Sequence, residues 1–246
     1  MQLYGLIGYP LGHSFSKQYF TEKFQREKLL DCNFENFAIP AIEELAGVLK
    51  NNPQLKGLAV TIPYKQQVLV YATQLSPEVK FIGAANCIKI SGANRVAYNT
   101  DIIGFEKSFT PMLRTNHKKA LILGTGGAAK AVQYVLKNLG IEFLTVTRTK
   151  DSPDGYINYN QLDADVMDQY TIIINCSPVG TSPNDAECPA IPYKFITANH
   201  YLYDLVYKPA ETLFLKKGVE QAAQVKNGYE MLLIQAEANW LIWNKA

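Results

Sequence analysis

Histidine is scarce in this 246-residue chain: three residues, at positions 13, 117 and 200, with no H-E-x-x-H among them. That leaves no material for a histidine-based metal centre, and no metal is expected. The four cysteines, Cys32, Cys87, Cys176 and Cys188, form no C-x-x-C pair. Their irregular spacing argues for reduced thiols in the cytoplasm, with Cys87 and Cys176 read as core residues, and against a disulfide framework or a zinc ribbon. Charge of one sign is lacking too. The formal balance is +2 with no basic run, so no nucleic-acid footprint is expected. No apolar run reaches membrane-spanning length, and Met1-Gln2-Leu3-Tyr4-Gly5 lacks the charged opening of a secretory signal. No repeat or low-complexity tract is visible. Hydrophobic residues at 48% and charged residues at 19% describe an ordinary globular protein, long enough for one large or two ordinary domains.

What is present is organised around residues 120–132. The apolar stretch Leu121-Ile122-Leu123 runs into Gly124, Gly126 and Ala129, the G-x-G-x-x-G/A spacing of a dinucleotide-binding turn. Glycine lets the backbone turn sharply and lets a pyrophosphate approach its amides, and the following helix points its positive end at the same phosphates. Ala128, Val132, Val135, Leu136 and Leu139 share one stripe of that helix, and Gly140 suits its C-cap.

Before this turn, strands are predicted over 3–9, 34–39, 58–62, 87–90 and 95–98, with helices over 16–30 and 42–49 and another starting near Asp101. After it, strands are predicted over 143–147, 171–175 and 201–205. A weakly patterned region spans 150–169, with a turn at 152–155, and a proline-rich loop spans 177–192. Residues 229–243 are apolar nearly all round, which predicts a buried helix able to fold back on the first domain. The expected class is therefore α/β.

NAD-binding units place an acidic residue at the end of the second strand to bond the ribose 2′-hydroxyl. Here that position reads Thr147-Arg148-Thr149-Lys150, with no carboxylate before Asp151. Arginine clamps phosphate oxygens in a two-pronged bond, so the stretch favours NADP over NAD; a solvated basic turn is the plainer alternative.

Further stretches occur in order: Gly8-Tyr9-Pro10-Leu11-Gly12-His13-Ser14-Phe15-Ser16, Val60-Thr61-Ile62-Pro63-Tyr64-Lys65, Gly83-Ala84-Ala85-Asn86, Asn99-Thr100-Asp101-Ile102-Ile103-Gly104, Asn175-Cys176-Ser177-Pro178-Val179-Gly180, Asp204-Leu205-Val206-Tyr207, and Gly228-Tyr229-Glu230-Met231-Leu232-Leu233-Ile234-Gln235-Ala236. Taken with the glycine turn, this ordered set resembles the shikimate dehydrogenase family over nearly the whole chain. The resemblance implies a substrate-binding domain with a mixed sheet, residues 1–101 with 229–246, and a Rossmann-type NADP-binding domain with a parallel sheet, residues 102–228. It implies NADP-dependent interconversion of 3-dehydroshikimate and shikimate in the route to aromatic compounds, by a monomer or homodimer acting on a small molecule.

Residue by residue, the resemblance gives Ser14 and Ser16 the substrate carboxylate, and Thr61, Asn86 and Gln235 the ring hydroxyls. Tyr207 would lie near the ring or its carboxylate, and Lys65 and Asp101 would form the catalytic pair. On the cofactor side it gives Gly124, Thr125, Gly126, Gly127 and Ala128 the pyrophosphate, Thr147, Arg148, Thr149 and Lys150 the 2′-phosphate, and Leu205 and Gly228 the nicotinamide. The chemistry is consistent with these residue types: ketone reduction needs a proton donor and a cation where negative charge develops.

Taken singly, each residue has a plainer role. Ser14 or Ser16 can N-cap a helix, Asp101 can complement a helix dipole, Asn86 can sit in a turn, His13 can bond structurally, and Lys65 can be a solvated lysine. Two positions depart from the family's usual pattern: Ala59 stands where asparagine is usual, so that one ring-hydroxyl contact is missing or replaced by water, and Lys17 stands where proline is usual, altering the helix start more than the chemistry. Two other functions stay open: a quinate/shikimate dehydrogenase with broader substrate or NAD use, and a catalytically silent dinucleotide-binding regulator.

Overall fold

A computed structural model describes residues 1–12, 14–149 and 154–245; His13, Lys150, and Ser152 and Pro153 of the expected turn lie outside these. The chain divides into two compact units, residues 1–100 with 235–246, and residues 101–234.

The first unit runs β1 (Gln2–Gly8), α1 (Phe15–Arg26), β2 (Cys32–Ala38), α2 (Leu45–Asn51), β3 (Leu55–Val60), β4 (Gln74–Leu75), α3 (Pro77–Ile82), β5 (Cys87–Ser91) and β6 (Asn94–Tyr98). Its sheet is mixed, in the order β2-β1-β3-β5-β6-β4. Strands β1, β2 and β3 are parallel, and β5 runs antiparallel to both β3 and β6. Side chains alternate across it, as strand geometry requires. Leu3, Ile7, Leu58 and Val60 enter one core with Val68 and Val79, while Tyr4, Leu6 and Ala59 enter another with Phe20, Phe24, Phe34 and Trp243.

The second unit runs α4 (Asp101–Phe109), β7 (Lys119–Leu123), α5 (Gly127–Asn138), β8 (Glu142–Thr147), β9 (Tyr156–Asn158), α6 (Ala164–Gln169), β10 (Ile172–Asn175), β11 (Tyr201–Asp204), α7 (Leu213–Glu220) and β12 (Gln224–Asn227). All pairings in its sheet are parallel. The order β9-β8-β7-β10-β11-β12 is the 3-2-1-4-5-6 arrangement of a dinucleotide-binding fold, with β7 as the first strand. The α/β class, with one mixed and one parallel sheet, is as the sequence predicts. Residues 154–169 hold more structure than their weak pattern suggests, namely β9 and α6, and α7 and β12 add elements that the sequence reading did not identify.

The last helix, α8 (Tyr229–Asn244), begins in the second unit and ends in the first. Its buried character is only partial. Ala236, Asn239 and Trp243 are buried, a helical stripe of i, i+3 and i+7, whereas Leu241 is 69% exposed. The indole of Trp243 lies against Gly57 so closely that a side chain there would overlap it. A buried lysine, Lys23, donates to Glu237 at 2.9 Å and ties α8 to α1.

Two histidines are structural. In His117 and His200, Nδ1 accepts the backbone N–H of Arg114 and Thr197 at 3.0 Å, and Nε2 donates to the carbonyls of Asn199 (3.1 Å) and Met167 (2.9 Å). Burial lowers both pKa values and favours the neutral ring. Cys87 is buried, and burial pushes its thiol pKa well up.

Candidate active site

In the first unit Thr61, Lys65 and Asn86 lie at one end of the sheet, where β1, β3 and β6 end and β5 begins, and Gln235 bonds to Asn86 there. Strand β3 stops at Val60, two residues short of the sequence expectation, because the chain turns at Thr61. The Thr61 N–H donates to Ile7 at 2.9 Å, and that of Tyr64 donates to Thr61 at 2.9 Å, closing the turn that carries Lys65. Tyr64 anchors it from below through its hydroxyl, which donates to the Ile39 carbonyl at 2.5 Å. Lys65 is half-buried, and its carbonyl accepts the Ala85 N–H at 2.7 Å.

Ala84, Ala85 and Asn86 form the hub of this edge. The Asn86 carbonyl accepts from Val60 at 2.8 Å and its N–H donates to Tyr98 at 3.1 Å, while Asn99 Nδ2 donates to Ala84 at 3.0 Å. The buried Asn86 side chain accepts the Thr100 N–H at 2.6 Å and donates to Gln235 Oε1 at 3.4 Å. One short segment therefore holds the backbone of Lys65 on one side and Thr100 on the other. Asp101 follows Thr100 directly as the first residue of α4 and is buried.

Ser14 and Ser16 begin α1, both half-buried. Ser14 is the N-cap, its Oγ accepting from the Lys17 N–H at 3.2 Å. The structural role does not compete with anion binding, because a hydroxyl accepting one bond keeps its proton to donate. Thr100 and Asn239 are functional candidates that the sequence reading missed. Asn239 lies four residues beyond Gln235, hence one turn along the same face of α8, and that spacing was the available signal.

In the second unit, Gly124 has φ +115°, and its Cα faces the backbone of Cys176 and Ser177, the start of the loop after the neighbouring strand. These are the carboxyl ends of β7 and β10, the point where strand order reverses and ligands bind in such sheets. Gly126 caps α5, and a β-carbon placed on it would meet nothing within 4 Å. Thr125 is exposed, and Gly127 and Ala128 form the half-buried first turn of α5, with their amides at the helix's positive end. Ala129 is fully buried, where a small residue brings helix and strand together.

At the end of β8, Thr147 is buried and accepts the Thr149 N–H at 3.2 Å, leaving Arg148 exposed at the tip. Asn158, with its amide nitrogen toward this turn, donates to the carbonyls of Thr147 (3.2 Å) and Thr149 (3.0 Å). No carboxylate stands among residues 147–149. The open glycine cradle and the acid-free, arginine-tipped turn fit a dinucleotide carrying a 2′-phosphate.

A buried carboxylate braces the same edge. Asp204 accepts from Thr212 Oγ (2.6 Å), Asn175 Nδ2 (2.9 Å) and the Val206 N–H (3.0 Å), so it ties the end of β10 to the loop after β11. Burial raises its pKa to about 6 against the opposing pull of those bonds. Beyond it, Leu205 and Gly228 are brought together so tightly that any side chain at Gly228 would collide with the Leu205 carbonyl. Tyr207, 37% exposed, has its pKa raised by burial. Among the described residues, no group of three His, Cys, Asp or Glu side chains is placed to hold a metal, and no helix is long and apolar enough to cross a membrane.

Residues 6–88 match the family model for the shikimate dehydrogenase substrate binding domain. A Carboxydothermus hydrogenoformans protein named shikimate dehydrogenase (NADP(+)) is 34% identical over 260 residues, covering 98% of this chain and 91% of the relative. The chain belongs to the shikimate dehydrogenase family. The crystal structure of shikimate dehydrogenase from Aquifex aeolicus superimposes with TM-score 0.87 at 32% identity, over 100% of this chain and 93% of that one. A shikimate 5-dehydrogenase from Thermus thermophilus, crystallised with NADP(H) and shikimate, gives TM-score 0.86 at 25% identity, over 100% and 94% of the two chains.

Against the usual pattern of shikimate dehydrogenases, Ala59 is 5% exposed and packs in the aromatic core with Trp243, so position 59 contributes no polar contact. Lys17 supplies the N–H that holds Ser14, which a proline would lack. Its ammonium pairs with Glu35 at 2.7 Å on the surface.

Proposed function

We propose that this chain is an NADP-dependent shikimate dehydrogenase that reversibly reduces 3-dehydroshikimate to shikimate, with Lys65 and Asp101 as the proton-transfer pair. The first unit holds the substrate and the second holds NADP. The observation that carries the reading is the hub at Ala84–Asn86, which fixes the backbone of Lys65 (Ala85 N–H to Lys65 carbonyl, 2.7 Å) and that of Thr100, the residue before Asp101 (2.6 Å).

Bound NADPH supplies the hydride that reaches the ketone carbon. The task of the chain is then to deliver a proton to the oxygen as negative charge builds there. Lys65 donates that proton and its cation stabilises the developing alkoxide, while Asp101 orients the ammonium. In the reverse direction Lys65 accepts the hydroxyl proton. Ser14 and Ser16 donate to the substrate carboxylate, and Tyr207 lies near the ring or its carboxylate. Thr61, Asn86 and Gln235 supply the neutral donors and acceptors that a polyhydroxylated ring requires. Gly124 to Ala128 cradle the pyrophosphate, Thr147 to Lys150 take the 2′-phosphate through Arg148, and Leu205 and Gly228 face the nicotinamide.

Shikimate and quinate, each with NADP and with NAD, are followed by nicotinamide absorbance. Turnover is expected to be fastest with shikimate and NADP. Preference for quinate or NAD would replace this reading with the broader quinate/shikimate activity, and no turnover with any pair would remove it.

A further inference from the structure

Asn239 is an amide side chain 1% exposed, on the stripe of α8 that otherwise buries Ala236 and Trp243. A buried amide is costly unless its oxygen and nitrogen both find partners. Here they do, in a closed ring of four residues. The Thr100 N–H, which can only donate, gives its proton to Asn86 Oδ1 at 2.6 Å, so Asn86 must turn Nδ2 toward Gln235 Oε1 at 3.4 Å. The Thr100 hydroxyl donates to Asn239 Oδ1 at 2.7 Å, so Asn239 also turns Nδ2 toward Gln235 Oε1, again at 3.4 Å. Two routes leave Thr100 and end on the same oxygen. Flipping Asn86 or Gln235 would set like groups against each other on both sides, and flipping Asn239 would set its Oδ1 against Gln235 Oε1.

We infer that Asn239 is a positioning residue: with Asn86 it holds the Gln235 carbonyl inward, so that Gln235 presents its NH2 to the substrate. A ring hydroxyl meeting Gln235 is thereby received as an acceptor. The inference rests on the substrate role proposed for Gln235, and it adds a residue that contacts no substrate itself.

The isosteric variant Asn239→Asp separates positioning from packing. Aspartate still accepts from Thr100 but has no N–H for Gln235, and it draws the Gln235 nitrogen inward. Asn239→Ala leaves Asn86 holding the amide correctly. KM for shikimate is expected to rise about three- to tenfold in Asn239→Ala, the worth of one hydrogen bond, and further in Asn239→Asp. KM for NADP should stay unchanged in both. A packing role gives the opposite order, with the cavity-forming alanine worse than the isostere, and that order overturns the inference. Should the buried aspartate prevent folding, Thr100→Val and Asn239→Ala form a double-mutant cycle. Because the Thr100 hydroxyl reaches Gln235 through Asn239, the double variant should match Asn239→Ala in KM; additive effects, or unshifted KM values, overturn the inference. Wild-type turnover is measured first. Its absence with shikimate removes the reading of the site, whereas normal wild-type turnover with unresponsive variants removes only the role of Asn239.

Discussion

Replacing Asp204 with asparagine should flatten one part of the stability–pH curve by a calculable amount. The carboxyl is fully buried, and its pKa rises from 3.8 to about 6 in the folded protein. Those two values differ by about two pH units, or roughly 3 kcal/mol of preference for the protonated form. Because the folded value is the higher one, that stabilisation is complete below the unfolded pKa and is lost as pH rises through about 6. Asparagine preserves an oxygen for Asn175 and the Val206 N–H and turns its NH2 to Thr212, whose hydroxyl can accept. The variant has no proton to lose. Urea unfolding of both proteins from acid to mildly alkaline pH, followed by circular dichroism, gives the difference in stability, and the subtraction cancels the two buried histidines. Tryptophan fluorescence marks the first unit separately, since Trp240 and Trp243 both lie there. The wild type should lose roughly 3 kcal/mol relative to Asp204→Asn across this range. A difference that stays constant with pH would refute a buried carboxylate titrating near neutrality.

Gly126→Ala should leave the melting temperature nearly unchanged, since a β-carbon there meets nothing within 4 Å, yet weaken NADP about tenfold or more by filling the phosphate cradle. An unaltered NADP dissociation constant would exclude Gly126 from the cradle. Arg148→Ala should weaken NADP far more than NAD; equal losses would remove the 2′-phosphate contact. Gly57→Ala should cost about 1–3 kcal/mol, because the new methyl overlaps an indole confined by Tyr4 and Phe20 at ring-centroid distances of 5.2 and 5.3 Å. In a Trp243→Leu background the same change should be nearly neutral, and an identical cost in both backgrounds would show that the indole is not what limits position 57.

Strong local patterns made much of the fold legible. The β7–α5 turn could be read because glycine spacing, the preceding apolar strand and the helical stripe all agree. Strands β1 and β10 were legible as apolar runs. The edge strand β12, Gln-Val-Lys-Asn, was not, because a half-buried edge carries little periodicity. Helix α8 misled in part: its apolar residues surround the axis, but near its end Leu241 is left in solvent. At the site, Ser14, Asn86 and Gln235 were visible as members of ordered motifs. Thr100 and Asn239 were not: the spacing of Gln235 and Asn239 puts them on one face of α8, but the bond between Thr100 and Asn239 spans 139 residues, and no local spacing reports it.

The central claim, that Lys65 supplies the proton, is tested most directly by steady-state kinetics of Lys65→Ala with shikimate and NADP. The account expects kcat to fall by about two orders of magnitude or more with KM held within a few-fold, because the ammonium acts mainly in the transition state. Wild-type kcat with only KM raised would make Lys65 a binding residue and leave the reaction without its proton donor.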